Sequence, residues 1–302
     1  MANIEDYIKW RGDLPFEQSP FCRVDALVLC QISYLNFDRL LPDYDFGVEM
    51  KLSELAEIFE NSRDFKKRSE TGLLINRKTA PFFLQVARTR RFENIRITGY
   101  VSKIDLTIEE QFAAASYKLP DRTNFICFRG TDDSIVGWKE DFNLATEKEV
   151  PAQKDAVEYL EKAAKNLKGK IRIGGHSKGG NLAMYASAVV DKKISERILC
   201  IYNNDGPGFY EARVKSPEFV RIAEKVESCY PQFSIVGMLF QHIGKQIFVE
   251  SDEIGVMQHD PFSWHIMGKD FVILENNDYG SKFFHNTFNE WISKLEPARR
   301  EI

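Results

Sequence analysis

The chain has 302 residues, a net charge of −4, and 43% hydrophobic and 28% charged residues. This is the composition of an ordinary globular protein, and it excludes the strongly basic field that recruits nucleic acid or anionic membrane. The five cysteines form no Cys-x-x-Cys pair and no Cys/His cluster with zinc-ligand spacing, so we expect reduced thiols and no metal. The first residues lack the pattern of a signal peptide, and no apolar run is long enough to cross a bilayer. We therefore expect a cytoplasmic protein without a transmembrane segment.

Helical patterns occupy the N-terminal third of the chain. Apolar residues recur on a helical period over residues 24–35, and Ser53 is suited to cap a helix that continues to Phe59. A further short helix is predicted over residues 82–89. We expect residues 1–94 to form a helical region, in which residues 40–92 either cap a site or cover the face of a sheet.

From residue 95 onward the pattern changes to strands that alternate with helices. Because such alternation produces parallel sheets with helices on both faces, we predict an α/β fold with a mainly parallel central sheet. The whole chain, residues 1–302, then forms one domain with residues 95–302 as its core. Strands are predicted over residues 95–104, 112–117, 124–128, 171–173, 198–202, 226–230 and 246–250, and helices over residues 157–167, 181–190 and 282–295.

A serine framed by glycines, Gly175-His176-Ser177-Lys178-Gly179, lies between the predicted strand at 171–173 and the small-residue helix at 181–190. A turn this tight gives the serine strained backbone angles and requires small flanking residues. The strain exposes the hydroxyl at the carboxyl end of the strand, and the N–H of Lys178 points to where an oxyanion forms. The pattern predicts that Ser177 is a nucleophile. The alternatives are an incidental serine in a glycine-rich turn and a phosphate-binding loop, whose glycine spacing this segment does not match.

A serine nucleophile needs a base, usually histidine, that a carboxylate orients, and in this arrangement the acid precedes the histidine in the chain. Asp205 follows the predicted strand at 198–202 and opens the turn Asp205-Gly206-Pro207-Gly208. That position is at the carboxyl end of a strand, and we predict Asp205 to be the acid. The alternative is a turn aspartate that bonds its own backbone, in which case Asp252 is the next candidate.

Four histidines are candidates for the base, because the turn itself fixes the side chain of His176. His259 lies in a loop after the predicted strand at 246–250, where a base can reach over the edge of the sheet, and it is the predicted base. His242 is the second candidate. The other two are His265, in a predicted strand, and His285, on the predicted final helix.

The second oxyanion donor is expected in a loop that follows an earlier strand. Phe128-Arg129-Gly130-Thr131 leaves its predicted strand abruptly, so the backbone N–H of Thr131 is the candidate partner for that of Lys178. Asp132 or Asp141 could hold this loop through hydrogen bonds. The alternative is an ordinary glycine-containing turn.

Two of these segments resemble class 3, or fungal-type, lipases. The residues Phe128-Arg129-Gly130-Thr131, with Trp138 and Asp141 following, resemble the oxyanion loop of those lipases, and residues 175–183 resemble their nucleophile elbow. The whole chain looks like a bacterial, mostly Firmicute family of lipase-like proteins with the α/β-hydrolase fold. The resemblance implies a serine esterase without a cofactor, and it places Thr131 in the oxyanion hole.

The sequence departs from the class 3 pattern at the acid. Class 3 lipases usually carry it in an Asp-x-Val segment after the next strand, where this chain reads Ser234-Ile235-Val236. Pancreatic-type lipases place it one strand earlier, in a turn that Asp205-Gly206-Pro207-Gly208 resembles. This second resemblance favours Asp205.

These features predict a serine hydrolase that cleaves a carboxylic ester through an acyl-enzyme on Ser177, with His259 and Asp205 completing the triad. The expected partner is a small acyl ester or a lipid. The alternatives are a thioesterase or acyltransferase with the same triad, and a catalytically silent binding protein. Candidates to line an acyl pocket are the apolar residues Leu55, Ile58, Phe59, Leu73, Leu74, Phe82 and Phe83.

Overall fold

A computed structural model describes residues 1–70, 75–105, 110–131 and 149–274 of the chain. The predicted helix at 282–295 lies outside these ranges, as do Leu73, Leu74, Asp132, Trp138, Asp141 and His285. Within the described ranges, no helix is long and apolar enough to cross a membrane.

A sheet of eight strands forms the centre of the described part, and its strands lie side by side in chain order. The first four strands pair antiparallel, whereas the fourth to the eighth pair parallel. A separate hairpin follows the sheet. The strands are β1 (Met50–Lys51), β2 (Arg96–Asp105), β3 (Glu110–Lys118), β4 (Asn124–Phe128), β5 (Ile171–His176), β6 (Ile198–Asn204), β7 (Val226–Pro231), β8 (Lys245–Val249), β9 (Ile266–Met267) and β10 (Asp270–Phe271).

The sequence of β4 explains why the sheet is covered on both faces. All five residues of this strand are buried. Phe125 and Cys127 belong to the core formed with the N-terminal helices, whereas Ile126 and Phe128 belong to the core on the opposite face. Successive side chains of a strand point to opposite faces, so a continuous apolar run requires cover on both.

Helices provide that cover, and the predicted α/β-hydrolase fold is confirmed. Of the helices in the described ranges, the sixth and seventh in chain order pack on one face of the sheet, and the second packs on the other, over β4, β5 and β6. The helices are α1 (Ile4–Arg11), α2 (Arg23–Ile32), α3 (Leu52–Glu60), α4 (Phe65–Arg68), α5 (Thr79–Ala87), α6 (Pro151–Asn166), α7 (Lys178–Val189), α8 (Lys192–Ser195), α9 (Glu211–Val214) and α10 (Pro217–Ile222).

Several elements end at residues other than those predicted. The strands β5 and β6 continue to His176 and Asn204, so each runs directly into a predicted site residue. The helix α3 begins before Ser53, because the Glu54 carboxylate accepts a hydrogen bond from the Lys51 N–H at 3.2 Å and makes Lys51 the cap.

The N-terminal helices lie over one face of the sheet. Leu55, Phe59, Phe82 and Phe83 are fully buried in the core that these helices share with the sheet, whereas Ile58 is 43% exposed. Burying a phenylalanine side chain contributes roughly 2–3 kcal/mol relative to exposure, so these residues hold the layer on the sheet. Their burial corresponds to the sheet-covering arrangement, the second of the two expected for residues 40–92.

Candidate active site

Ser177 occupies the sharp turn between β5 and α7. Its backbone angles are φ 59° and ψ −136°, and φ is therefore in the left-handed region that a residue with a side chain seldom adopts. The Ser177 N–H donates to the carbonyl of Asn204 at 2.9 Å, and the Ser177 carbonyl accepts from the N–H of Gly180 at 2.8 Å. These bonds hold the strained residue between the end of β6 and the first turn of α7.

The two glycines of the motif allow the chain to pass very close to itself. A Cβ added to Gly175 would lie 2.1 Å from the carbonyl carbon of Gly179, and one added to Gly179 would lie 2.1 Å from the Phe128 oxygen. Any larger residue would therefore separate β5, α7 and the end of β4. The close approach of these segments explains why the residues that flank the turn must be small, as we inferred from the sequence.

Asp205 follows β6 directly, and its side chain is fully buried. Its φ is 54°, also in the left-handed region, and its N–H donates to the Cys229 carbonyl at 2.8 Å. The carboxylate accepts the Ser234 hydroxyl at Oδ1 and contacts His259 at Oδ2. The strained turn thus aims the carboxylate at one histidine, while a serine from the loop after β7 binds its other oxygen.

His259 ends a short 3-10 helix, Gly255–His259, and its Nδ1 lies 2.7 Å from Oδ2 of Asp205. A carboxylate only accepts hydrogen bonds, so in neutral His259 the proton is on Nδ1 and Nε2 has a free lone pair. The His259 side chain is 24% exposed, whereas that of Asp205 is 1% exposed. The imidazole can therefore accept a proton at an accessible nitrogen while a buried carboxylate fixes its tautomer.

The loop that carries His259 is held on both sides of the histidine. Gln258 accepts a hydrogen bond from the Phe233 N–H at its side-chain oxygen, and its carbonyl accepts the Trp264 indole N–H at 2.8 Å. Asp260 accepts the side-chain amide of Asn76 at 2.6 Å. Burial raises the pKa of the Asp260 carboxyl, and the hydrogen bonds from Asn76 and from the Phe262 N–H oppose that rise only in part.

The predicted oxyanion residues flank the serine. A Cβ added to Gly130 would lie 3.0 Å from Cβ of Ser177, so the loop after β4 packs directly against the nucleophile candidate, with the buried Thr131 following. Lys178 begins α7, which places its backbone N–H at the positive end of a helix. Its ammonium group is bound elsewhere, donating to the Gln111 carbonyl at 3.0 Å.

Within the described part of the chain, no hydrogen bond joins Nε2 of His259 to the Ser177 hydroxyl. Among the described residues, His259 forms hydrogen bonds with two side chains: Nδ1 with Asp205, and its backbone carbonyl with Nε2 of His176, the latter at 2.8 Å. Hydrogen bonds between a nucleophile and its base are often loose in ligand-free structures. The structure therefore brings the predicted acid and the predicted base into contact, and it places His259 against the residue that precedes the serine.

The second-choice residues have other partners. His265 lies between two carboxylates, with Nδ1 3.1 Å from Glu250 and Nε2 2.7 Å from Asp252. The contact with His265 lowers the pKa of Asp252, which is more than half exposed and does not contact His259. His242 instead contacts the hydroxyl of Tyr230 at 2.8 Å.

Three residues in this site were not predicted. Ser234 binds Asp205, and His176 and Tyr34 form a hydrogen-bonded pair beside His259. There was a reason in the sequence to consider Ser234, because it occupies the position at which class 3 lipases usually carry their acid. Nothing in the local sequence linked Tyr34, at the end of α2, to a site more than 140 residues away. Among the described residues, no three His, Cys, Asp or Glu side chains converge as metal ligands.

A left-handed serine between a parallel strand and a helix, with a histidine–aspartate pair at the same sheet edge, defines a protein of the α/β-hydrolase class. The Mbeg1-like family matches residues 86–302, which is most of the chain. The chain therefore belongs to the Mbeg1-like family. No curated protein sequence matches it significantly.

Several solved structures resemble the chain at low sequence identity. The Rhizomucor miehei lipase propeptide complex is 16% identical, with a TM-score of 0.41, over 69% of this chain and 73% of that one. M37 lipase is 16% identical, with a TM-score of 0.45, over 73% and 70%. Lip2 lipase from Yarrowia lipolytica is 15% identical, with a TM-score of 0.39, over 62% and 75%.

Proposed function

We propose that this protein is a serine hydrolase that cleaves carboxylic esters, with Ser177 as nucleophile, His259 as base and Asp205 as acid. The observation that carries the proposal is the 2.7 Å contact between His259 and the buried Asp205. It lies at the edge of the sheet where Ser177 has left-handed backbone angles. A buried carboxylate that fixes the tautomer of a partly exposed imidazole is the arrangement that activates a serine.

In the proposed reaction, Nε2 of His259 takes the hydroxyl proton as Oγ of Ser177 attacks the acyl carbonyl carbon. The resulting oxyanion accepts hydrogen bonds from the backbone N–H groups of Thr131 and Lys178, aided by the N-terminal end of α7. His259 then gives its proton to the leaving alkoxide, and an acyl-enzyme remains. Water, deprotonated by the same nitrogen, then attacks the acyl carbon. That nitrogen returns the proton to Oγ of Ser177 as the acyl–oxygen bond breaks, which releases the acid and the free serine.

The surroundings of His259 support an ester with an apolar part. Ile254, Val256 and Met257 precede the base and are each more than half exposed, and Phe233 is also exposed. The Phe233 N–H donates to Gln258 at 2.9 Å, so the backbone of Phe233 lies beside the loop that carries these residues. Exposed apolar clusters commonly mark binding surfaces, so we infer a lipid or another ester with a hydrocarbon chain as substrate.

We also propose a reducing compartment, the cytoplasm, as the location of the protein. All five cysteines are free thiols, and Cys30, Cys127 and Cys229 are buried. Disulfide bonds are rare in the cytoplasm and common outside it.

A fluorophosphonate probe tests the nucleophile. The Ser177 oxygen should displace fluoride and add the phosphonyl mass, which intact-mass spectrometry and peptide mapping detect. We expect labelling of the wild-type protein and of Ser216→Ala, a control outside the site, and none of Ser177→Ala. Labelling at another residue, or no labelling of folded wild type, would overturn the proposal, and the second result would favour a silent binding protein.

Substrate comparison tests the ester class. We expect 4-nitrophenyl butyrate to be hydrolysed with release of butyrate and no ester product in the presence of added alcohol. Faster turnover of the matched butyryl thioester would indicate a thioesterase, and transfer of the acyl group to the alcohol would indicate an acyltransferase.

A further inference from the structure

His176 is buried in the nucleophile motif, yet its side chain has no part in the proposed proton transfers. Both of its ring nitrogens are engaged. Nδ1 lies 2.9 Å from the Tyr34 hydroxyl, and Nε2 lies 2.8 Å from the backbone carbonyl of His259. The residue next to the serine therefore contacts the backbone of the base directly.

The partners of His176 define its tautomer. A carbonyl oxygen can only accept, so Nε2 must carry a hydrogen and donate it to His259. Burial and the neighbouring His259 lower the pKa of His176 well below its usual range, and the ring is neutral. Its Nδ1 therefore has a lone pair, which accepts the Tyr34 hydroxyl proton. The His259 carbonyl thus sets the tautomer of His176, and the Tyr34 hydroxyl stabilises that tautomer by donating to Nδ1.

The two imidazoles also lie against each other. Their ring centroids are 4.5 Å apart, with 33° between the ring planes. Tyr34 is one residue beyond Ser33, which caps α2, and α2 is buried along its length. The chain of contacts from α2 through Tyr34 and His176 to His259 therefore ties the base loop to the rigid centre of the fold.

We propose that His176 and Tyr34 are positioning residues that hold the backbone of His259, so that its imidazole stays aligned between Asp205 and Ser177. This inference rests on the proposed function. It extends that function to two residues that transfer no proton themselves. A misplacement of about 1 Å at a catalytic group can lower the rate by roughly 10²-fold, so a single carbonyl contact at the base is enough to matter.

Kinetics with 4-nitrophenyl butyrate test the role of the hydrogen bond from Nε2. His176→Phe keeps a planar ring and removes both hydrogen bonds, and we expect a fall in kcat of about 10²-fold with KM changed by less than about threefold. His176→Gln can place an amide N–H near the position of Nε2, and we expect it to recover at least about tenfold of that loss. Equal losses in both variants would overturn the positioning role, because donation to the carbonyl would then make no difference.

Tyr34→Phe removes the hydroxyl that donates to Nδ1 of His176 and keeps the aromatic ring. It therefore tests whether that hydroxyl stabilises the tautomer that donates to His259. We expect kcat to fall by about 3–10-fold, because the ring can then populate the tautomer that cannot donate to His259. Tyr117→Phe is the matched control, since the buried Tyr117 hydroxyl has no hydrogen-bond partner among the described residues. Unchanged kcat in Tyr34→Phe would overturn the role of Tyr34, and this variant also decides the proposal if His176→Phe fails to fold.

Circular dichroism separates positioning from general destabilisation. A loosened base loop misplaces the imidazole while the rest of the fold remains, so the rate falls without unfolding. We expect His176→Phe and His176→Gln to give the circular dichroism spectrum of wild type, with the larger loss of kcat in His176→Phe. If Ser177→Ala is as active as wild type, the proposed function itself fails. If only Ser177→Ala is inactive and His176→Phe matches wild type, the proposed function stands and the positioning inference fails.

Discussion

Two of the carboxylates in this molecule, Asp25 and Asp205, each bind a basic side chain at short range. The two pairs differ in their hydrogen bonds and in their exposure to solvent. Asp25 binds Arg91 through both oxygens, with Nη2 at 2.6 Å and Nε at 2.7 Å, beneath the N-terminal helices. Asp205 binds His259 through one oxygen at 2.7 Å. Both side chains of the first pair are 0% exposed, whereas the histidine of the second is 24% exposed.

The remaining polar groups of the first pair are also bonded. Asp25 accepts the Tyr7 hydroxyl at 2.8 Å and the Cys22 N–H at 2.9 Å. Nη1 of Arg91 donates to the carbonyls of Leu14 and Ser19. Because all these groups are bonded, the pair holds together α1, residues 14–25 and the segment that carries Arg91. The pair at the sheet edge leaves one imidazole nitrogen for chemistry, so the comparison predicts stability effects in one place and rate effects in the other.

The largest effect is expected on the rate, at the acid. Asp205→Asn should lower kcat for ester hydrolysis by about 10⁴-fold, because an amide can stabilise the wrong tautomer of His259 and cannot stabilise its charged form. Ser234 contacts the carboxylate, so adding Ser234→Asp should supply a charge from the neighbouring loop and recover at least about tenfold. Steady-state kinetics of the single and double variants test this, and full activity of Asp205→Asn would show that the acid is assigned wrongly.

The buried pair should show the largest effect on stability. Arg91→Met leaves the Asp25 carboxylate buried without its cation, and we expect a loss of about 3–5 kcal/mol in the free energy of unfolding, measured in urea. The rate per folded molecule should stay within about twofold of wild type. Lys78→Met is the control, since it breaks an exposed pair with Glu5 and should cost less than about 1 kcal/mol. A strong loss of rate in folded Arg91→Met would contradict the comparison, because it predicts that the Asp25–Arg91 pair affects stability and not the rate.

Ser234→Ala should have a smaller effect on the rate. The carboxylate of Asp205 would lose one donor and keep its contact with His259, so we expect kcat to fall by about tenfold. Ser234→Thr retains a hydroxyl and should preserve most of the activity. Equal activity of the alanine variant and wild type would mean that the turn at Asp205 alone orients the carboxylate.

The smallest effect is expected in the dependence of stability on pH. The pKa of His176 in the folded protein is below its ordinary value of 6.5, so the unfolded chain binds the proton more tightly. Stability from this residue is complete above pH 6.5 and decreases as the pH falls from there toward the folded-state pKa, by at most about 1.4 kcal/mol per pH unit. Urea titrations between pH 5 and pH 8 should show this slope in wild type and a shallower one in His176→Phe. Equal slopes would indicate that His176 does not titrate on unfolding.

The local patterns were informative wherever a contact depends on neighbours in the chain. The glycines around Ser177 are required by the close passage of α7 past β4 and β5, and that constraint is visible in five consecutive residues. The alternation of strands and helices from residue 95 onward likewise predicted a sheet covered on both faces, as the two cores on either side of β4 show. The ends of helices and strands were harder to predict from the sequence. The start of α3, for example, depends on which side chain accepts from the first free N–H.

The sequence by itself determined the strand–turn–helix around Ser177, the order of serine, aspartate and histidine, and the class of fold. Only the tertiary structure decided that Ser234 binds Asp205 and that hydrogen bonds run from Tyr34 through His176 to the backbone carbonyl of His259. The physical reason is the range of the interactions. Steric limits on a tight turn act between adjacent residues, whereas a hydrogen bond at 2.9 Å between Tyr34 and His176 exists only after α2 has packed against the sheet.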